Sequence, residues 1–310
     1  MRLPEPAEYR LSRLTAALAI LVFLSASTQA ADSLEDAYAA QGRLILAHLA
    51  SAPFPHPTRA NGYDRNGQHF SAQEHYADDT VAVFIPKGLR PKERVDFVVH
   101  FHGWNNTVAG TLAHCRLVDQ MVASGKNAVL VVPEGPVNAP DSAGGKLAEP
   151  GGFARFMDEL LGVLAKQPEF STVRWPRIGR IILSGHSGGG EVIAEIVDHG
   201  GLERNADEVW LFDALYHHPG AFLEWNDHTH GRLLDIYTER GGTKANSEAL
   251  IAKLVQRGTP VLAVEENKMI AAGVPLGPLT FIHTDLAHDE VMASRDEFKR
   301  FLKTSGLEDR

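Results

Sequence analysis

Cysteine is nearly missing from this chain: Cys115 is the only one in 310 residues, so no intramolecular disulfide can form. Internal repeats and low-complexity segments are also absent, and no compositional break forces a second domain. The 30 Lys and Arg, set against 39 Asp and Glu, never gather into a basic stretch, which argues against nucleic acid as a partner. A G-x-x-x-x-G-K-[ST] phosphate loop is lacking as well. The apolar run at 14–24 covers about eleven residues, too few to cross about 30 Å of hydrocarbon as a helix.

That run has neighbours that give it another meaning. Arg10 and Arg13 precede it, and small residues, Ser25 to Ala31, follow. A basic start, a short apolar stretch and a small-residue exit describe a secretory signal peptide, with cleavage expected after Ala30. The uncleaved alternative, a membrane anchor, is disfavoured by the run's length. No cysteine follows the run to carry a lipid. The expectation is a periplasmic or secreted protein with no stable membrane anchor after cleavage. Export without disulfides suits a bacterial periplasm and a domain large enough to fold on its core alone. Cys115, inside the helix-like stretch Thr111-Leu-Ala-His-Cys-Arg-Leu-Val118, reads as a packed thiol rather than a nucleophile.

Three segments are expected: the leader at 1–30, an N-terminal helix followed by an irregular Pro-, Asn- and Gly-rich wrap at 31–74, and a catalytic domain at 75–310. Leu34, Tyr38, Ile45, Leu46 and Leu49 recur at helical spacing and predict an amphipathic helix to about Ala50. Beyond the wrap the period changes. Apolar runs predict strands over 80–85, 95–101, 128–132, 180–184, 208–212, 233–237, 261–264 and 279–283. Between them, helices are predicted over 152–166, 191–199, 247–256 and 291–302. Strands apolar nearly throughout, alternating with helices, indicate an α/β protein with a mostly parallel sheet and helices on both faces. Such sheets hold their sites in loops beyond the carboxyl ends of the strands.

Those loops contain the residue types of a nucleophilic site. Gly185-His-Ser-Gly-Gly189 follows a strand and opens a helix. The small flanking residues permit a sharp, strained turn at Ser187, and the helix aims its first N–H groups where negative charge would develop. The competing reading is a glycine-rich helix entry. In this strand–turn–helix setting the sequence resembles the α/β-hydrolase superfamily of serine hydrolases, over roughly residues 75–303.

The resemblance implies an α/β-hydrolase fold, Ser187 as nucleophile and His288, after the last strand, as general base. His283 is the rival base, although it sits inside a predicted strand. It further implies an oxyanion hole made from the main-chain N–H groups of Trp104, in His102-Gly-Trp104, and Gly188. The loop departs from the lipase-type H-G-G-G form, so the donor there stays open. For the acid, Asp213 closes the strand after the nucleophile helix. Glu239, Asp285, Glu265 and Glu266 remain alternatives, since many members place the acid after the following strand. The order Ser187, Asp213, His288 is the superfamily's order and not that of chymotrypsin or subtilisin.

The implied activity is cleavage of a carboxylic ester in a small-molecule or acylated substrate. Amide or peptide cleavage on the same residues is the enzymatic alternative, and an inactive binding protein on the same scaffold is the other. No cofactor is expected. The histidine pairs His217-His218 and His228/His230 lack a third ligand at useful spacing, so no metal is expected either. Oligomeric state is not legible.

Overall fold

The structure, a computed structural model, describes residues 34–273 and 275–310. The expected leader at 1–30 lies outside those residues. Nine strands form one sheet: β1 Gly42–His48, β4 Thr80–Pro86, β5 Arg94–Phe101, β6 Val129–Pro133, β7 Arg177–His186, β8 Ala206–Phe212, β9 Arg232–Thr238, β10 Leu262–Glu265 and β11 Leu279–Thr284. Their spatial order is β1-β4-β6-β5-β7-β8-β9-β11-β10, and β2 Tyr63–Arg65 pairs with β3 Gln68–Phe70 as a separate hairpin. Within the nine-stranded sheet the β1–β4 and β4–β6 pairs are antiparallel and the other pairs are parallel, while the β2–β3 hairpin is antiparallel.

Successive strand residues enter opposite faces, so a run apolar throughout serves two cores. Phe97, Val99, Ile181 and Leu183 join one cluster, covered by Phe153, Phe156 and Leu160 of helix Gly152–Leu164 and Ile193 of helix Gly189–His199. Val98, Ile182, Trp210 and Phe212 join the other, covered by Val118 and Met121 of helix Leu117–Ser124 and by Phe298 and Phe301 of helix Glu297–Thr304. Phe212 and Phe301 stack with centroids 5.0 Å apart. Each fully buried aromatic here contributes about 1.5–3 kcal/mol from removed surface. Cys115 is buried at the end of helix Val108–His114, and burial pushes its thiol up to about 12. Among the described residues, no helix is long and apolar enough to cross a membrane.

Two expectations need correction. The predicted N-terminal helix is confined to a turn at 34–37, and residues 42–48 form the edge strand β1 instead. Leu44 and Leu46 pack on one core while Ile45 and Ala47 pack on the other. A strand packed on both faces shows an unbroken apolar run, which helical spacing also fits. The last helix begins at Glu297 rather than near 291, because Val291 and Met292 are buried in an irregular turn and Asp296 has a left-handed φ of 53°.

That last helix carries an unusual group. Glu297 and Glu266 are both buried against each other's element, with the Arg300 guanidinium 3.0 Å from Glu297. Burial pushes the Glu297 carboxyl up to about 9, and neighbouring Glu266 acts in the same direction. A carboxyl raised in the folded state keeps its proton there while the unfolded chain has lost it. Its contribution is therefore full below the ordinary value of 4.5 and is lost as pH rises to about 9. Glu297→Gln is expected to flatten the decline in melting temperature across that interval. An unchanged slope in thermal melts between about pH 5 and 9 would contradict the assignment.

Candidate active site

Parallel neighbours β5, β7 and β8 end side by side, with Phe101 beside Gly185 and His186 beside Phe212. Three loops therefore leave the sheet together: His102-Gly-Trp104, the turn at Ser187, and Asp213. Ser187 has φ of 54° and Asp213 of 48°, left-handed values that cost a non-glycine residue about 1–2 kcal/mol each. At the elbow a side chain on Gly189 would lie 2.2 Å from the Phe101 carbonyl oxygen. Only glycine lets the helix start so close to the neighbouring strand. Helix Gly189–His199 then runs away from the turn, with its amino end toward Ser187.

His288 begins a short 3-10 turn after β11. Its Nδ1 lies 2.6 Å from Asp213 Oδ2. Asp213 is fully buried, and His288 is about a quarter exposed (27%). Burial alone would raise the Asp213 carboxyl. Hydrogen bonds from His288, Thr243 and Thr238 outweigh it and leave the group below its ordinary value. Thr238 Oγ1 donates to Oδ2 at 2.7 Å, and Thr243 Oγ1 donates to Oδ1. A buried carboxylate needs such donors to stay charged.

The His288 loop is tied to the turn at Ser187. His186, immediately before Ser187, donates from Nε2 to the His288 carbonyl at 3.0 Å, and the two rings lie 4.7 Å apart. Burial lowers His186 to about 4, so it remains neutral and keeps that tautomer. Tyr216 links the same groups. Its ring meets that of His288 edge-on at 6.3 Å, and its hydroxyl donates to the Gly241 carbonyl. Burial pushes that hydroxyl up to about 12, with the Asp213 charge in the same direction and a hydrogen bond from Ser187 opposing. Ser187, at the end of β7, and His288, in the loop after β11, thus both stand beyond the carboxyl ends of the parallel strands.

The loop after β5 approaches the serine closely. A side chain on Gly103 would lie 2.6 Å from Ser187 Cβ and 3.1 Å from its Oγ. His102 pins this loop from behind: Nδ1 donates to the Gly103 carbonyl at 2.7 Å, and Nε2 lies 3.0 Å from buried Glu134. The other Glu134 oxygen accepts the Val108 N–H at 2.9 Å. Among the described residues, neither the Trp104 N–H nor the Gly188 N–H has an acceptor. Both residues line a cavity of about 140 Å³ with Ser187, Ser142, Tyr216 and His217. The Trp104 indole N–H donates to Ser142 Oγ at 2.7 Å, fixing one wall.

The rival acids lie elsewhere. Glu239 and Glu265 each sit 3.1 Å from His283. Asp285 and Glu266 pair with Arg295. His283 therefore belongs to a separate surface network. Sequence reasoning missed Thr238, Thr243, Glu134 and the tether through His186. The turn Glu239-Arg-Gly-Gly-Thr243 contains no aspartate, yet Thr238 and Thr243 beside it hold the aspartate that follows the preceding strand. Among the described residues, His186, His288 and Asp289 are the one group whose donor atoms come within 4.8 Å of each other. One nitrogen of each imidazole is already engaged, by the His288 carbonyl and by Asp213.

No protein-family model matches the sequence, and no curated protein matches it. Among solved structures, an S-formylglutathione hydrolase from Agrobacterium tumefaciens aligns with a TM-score of 0.50 and 12% identity, covering 86% of this chain and 95% of that one. A feruloyl esterase module from Clostridium thermocellum aligns with a TM-score of 0.48 and 10% identity, covering 85% and 87%. At such identity the likeness concerns architecture. Together with the sheet order, the sharp turn at Ser187 and the loops beside it, the first of these alignments shows that this chain has the α/β-hydrolase fold.

Proposed function

We propose that the chain is an exported serine hydrolase that cleaves a carboxylic ester through an acyl-enzyme. The observation that carries this reading is the 2.6 Å bond from His288 to the fully buried Asp213, beyond the same strand ends as the strained turn at Ser187. In this reading His288 Nε2 takes the Ser187 proton as Oγ attacks the acyl carbon. Asp213 holds the imidazole in the tautomer with Nδ1–H and stabilises its protonated form. The Trp104 and Gly188 N–H groups receive the oxyanion, each worth about 3–4 kcal/mol in comparable enzymes. His288 returns the proton to the departing alkoxide, and the acyl group stays on Ser187. Water, deprotonated by His288, then attacks the acyl-serine and releases the acid. Export rests on the basic, apolar and small-residue order of the first thirty residues.

The cavity beside Ser187, at about 140 Å³, holds a short acyl group rather than a long chain. One solved structure that this fold resembles is an S-formylglutathione hydrolase, and ester or thioester substrates are accordingly the class to examine.

A fluorophosphonate probe should label the wild-type protein and leave Ser187→Ala unlabelled; labelling that survives the substitution removes Ser187 from its role. Hydrolysis of p-nitrophenyl acetate and butyrate separates an enzyme from an inactive binding protein on this scaffold, and a matching anilide separates esterase from amidase. Asp213→Asn should lower kcat by about 10⁴ through the wrong imidazole tautomer, whereas Glu239→Gln should leave it unchanged. The reverse result would move the acid to β9. Gly103→Ala should abolish turnover in a protein that melts near the wild-type temperature, because the added methyl meets Ser187 at 2.6 Å. Full activity in that variant would show that the loop stands elsewhere during catalysis.

A further inference from the structure

The cavity at Ser187 opens into a groove of about 520 Å³, walled by the hairpin β2–β3 with the segment before it, the loop after Asp141, and helix Gly189–His199. Several charged side chains line it, and most have partners. Arg59 is bound bidentately by Asp141, at 2.7 and 3.0 Å. Glu149 is paired with Arg155 at 2.6 Å and with His56 at 3.1 Å. Glu195 lies 3.6 Å from His199. Two charges remain uncommitted among the described residues: Arg65 and Glu191.

Arg65 is held in place without being neutralised. Its guanidinium lies 4.0 Å over the Trp104 ring, an arrangement that fixes the plane of the group and leaves its N–H edges available. Its only polar partners are neutral and distant, the Tyr63 hydroxyl at 3.4 Å and the Pro140 carbonyl at 3.5 Å. Glu191 is half-buried in the first turn of the helix after the nucleophile and lines both the groove and the inner cavity beside Ser187. A bare carboxylate there opposes the negative charge that the proposed oxyanion would carry. It is tolerable in a catalytic site when a bound cation offsets it.

Resting on the hydrolase reading above, we infer that the substrate is zwitterionic. Its acyl portion carries an ammonium that meets Glu191, near the reacting carbonyl, and a carboxylate that meets Arg65, further out along the groove. An amino-acid or short peptide moiety has this chemistry. Each contact is a charge-assisted hydrogen bond, of a size that changes affinity by about tenfold or more. Arg65 and Glu191 take no part in bond making or breaking; they select which ester is presented to Ser187.

Four ethyl esters of equal acyl length test this: ethyl pentanoate, monoethyl glutarate, ethyl 5-aminopentanoate and the γ-ethyl ester of L-glutamate. Hydrolysis is followed by ethanol release. The glutamate ester should show the highest kcat/KM, by about tenfold or more over the pentanoate. Arg65→Gln should remove the advantage of the two carboxylate-bearing esters through KM, and Glu191→Gln that of the two amines. With ethyl pentanoate, which carries no ammonium to offset the carboxylate, Glu191→Gln should raise kcat, because the charge that opposes the oxyanion is gone. A ranking led by the neutral ester, or one that neither variant alters, overturns the inference while leaving the hydrolase intact. Calorimetric binding of the glutamate ester to Ser187→Ala gives a readout independent of turnover. Binding that is lost in Ser187→Ala/Arg65→Gln supports the groove assignment even if the wild-type protein cleaves none of the four, an outcome that would count against the hydrolase reading alone. Absence of binding to Ser187→Ala overturns the groove assignment.

Discussion

The site is organised around one carboxylate removed from water. Asp213 has no exposed surface, and an ionised carboxylate so placed costs several kcal/mol unless donors replace its hydration. Here the replacements are His288 Nδ1, two threonine hydroxyls and the Thr238 N–H. The four donors come from three places: the loop after β11, the end of β9 and the turn that follows it. The negative charge thus gathers three chain segments, and the position of the imidazole follows from that gathering. Removing the charge would release the imidazole and leave two hydroxyls without their acceptor.

The elbow is fixed independently, through steric limits. Helix Gly189–His199 can begin against β5 only because small residues stand where it passes the strand, and the His102–Glu134 pair braces the loop that faces Ser187. The two assemblies meet at a neutral histidine, His186, which bonds the main chain of His288, and at Tyr216, whose ring lies against that of His288. Because a main-chain carbonyl is the acceptor, the His186 tether locates the loop without occupying a ring nitrogen of His288.

How much of this was legible in the sequence follows from the range of each interaction. The strand–turn–helix around Ser187 is local, so apolar runs and glycine spacing disclosed it, as they disclosed the mostly parallel sheet. His288 was approachable by its place after the last strand. The surroundings of Asp213 were not, because Thr238 and Thr243 are ordinary residues until β8 and β9 lie side by side. The edge strand β1 was misread as helix since its apolar residues serve both faces of the sheet, and period-two alternation disappears when both faces take apolar side chains. Arg65 gave no signal at all. Its significance comes from Trp104, which lies close to it only in the folded chain.

The hairpin that carries Arg65 stands apart from both main cores. It rests instead on a small cluster formed by Phe54, Phe70, Tyr76 and Ala139, with Tyr63 packed against it. Residues on its outer side can therefore be exchanged with little disturbance of the sheet or of the imidazole and its carboxylate. Under the proposed reading, sequence drift in this patch would redirect which molecules the protein accepts while the residues around Ser187 stay as they are, giving one scaffold a dial for recognition that turns separately from its chemistry.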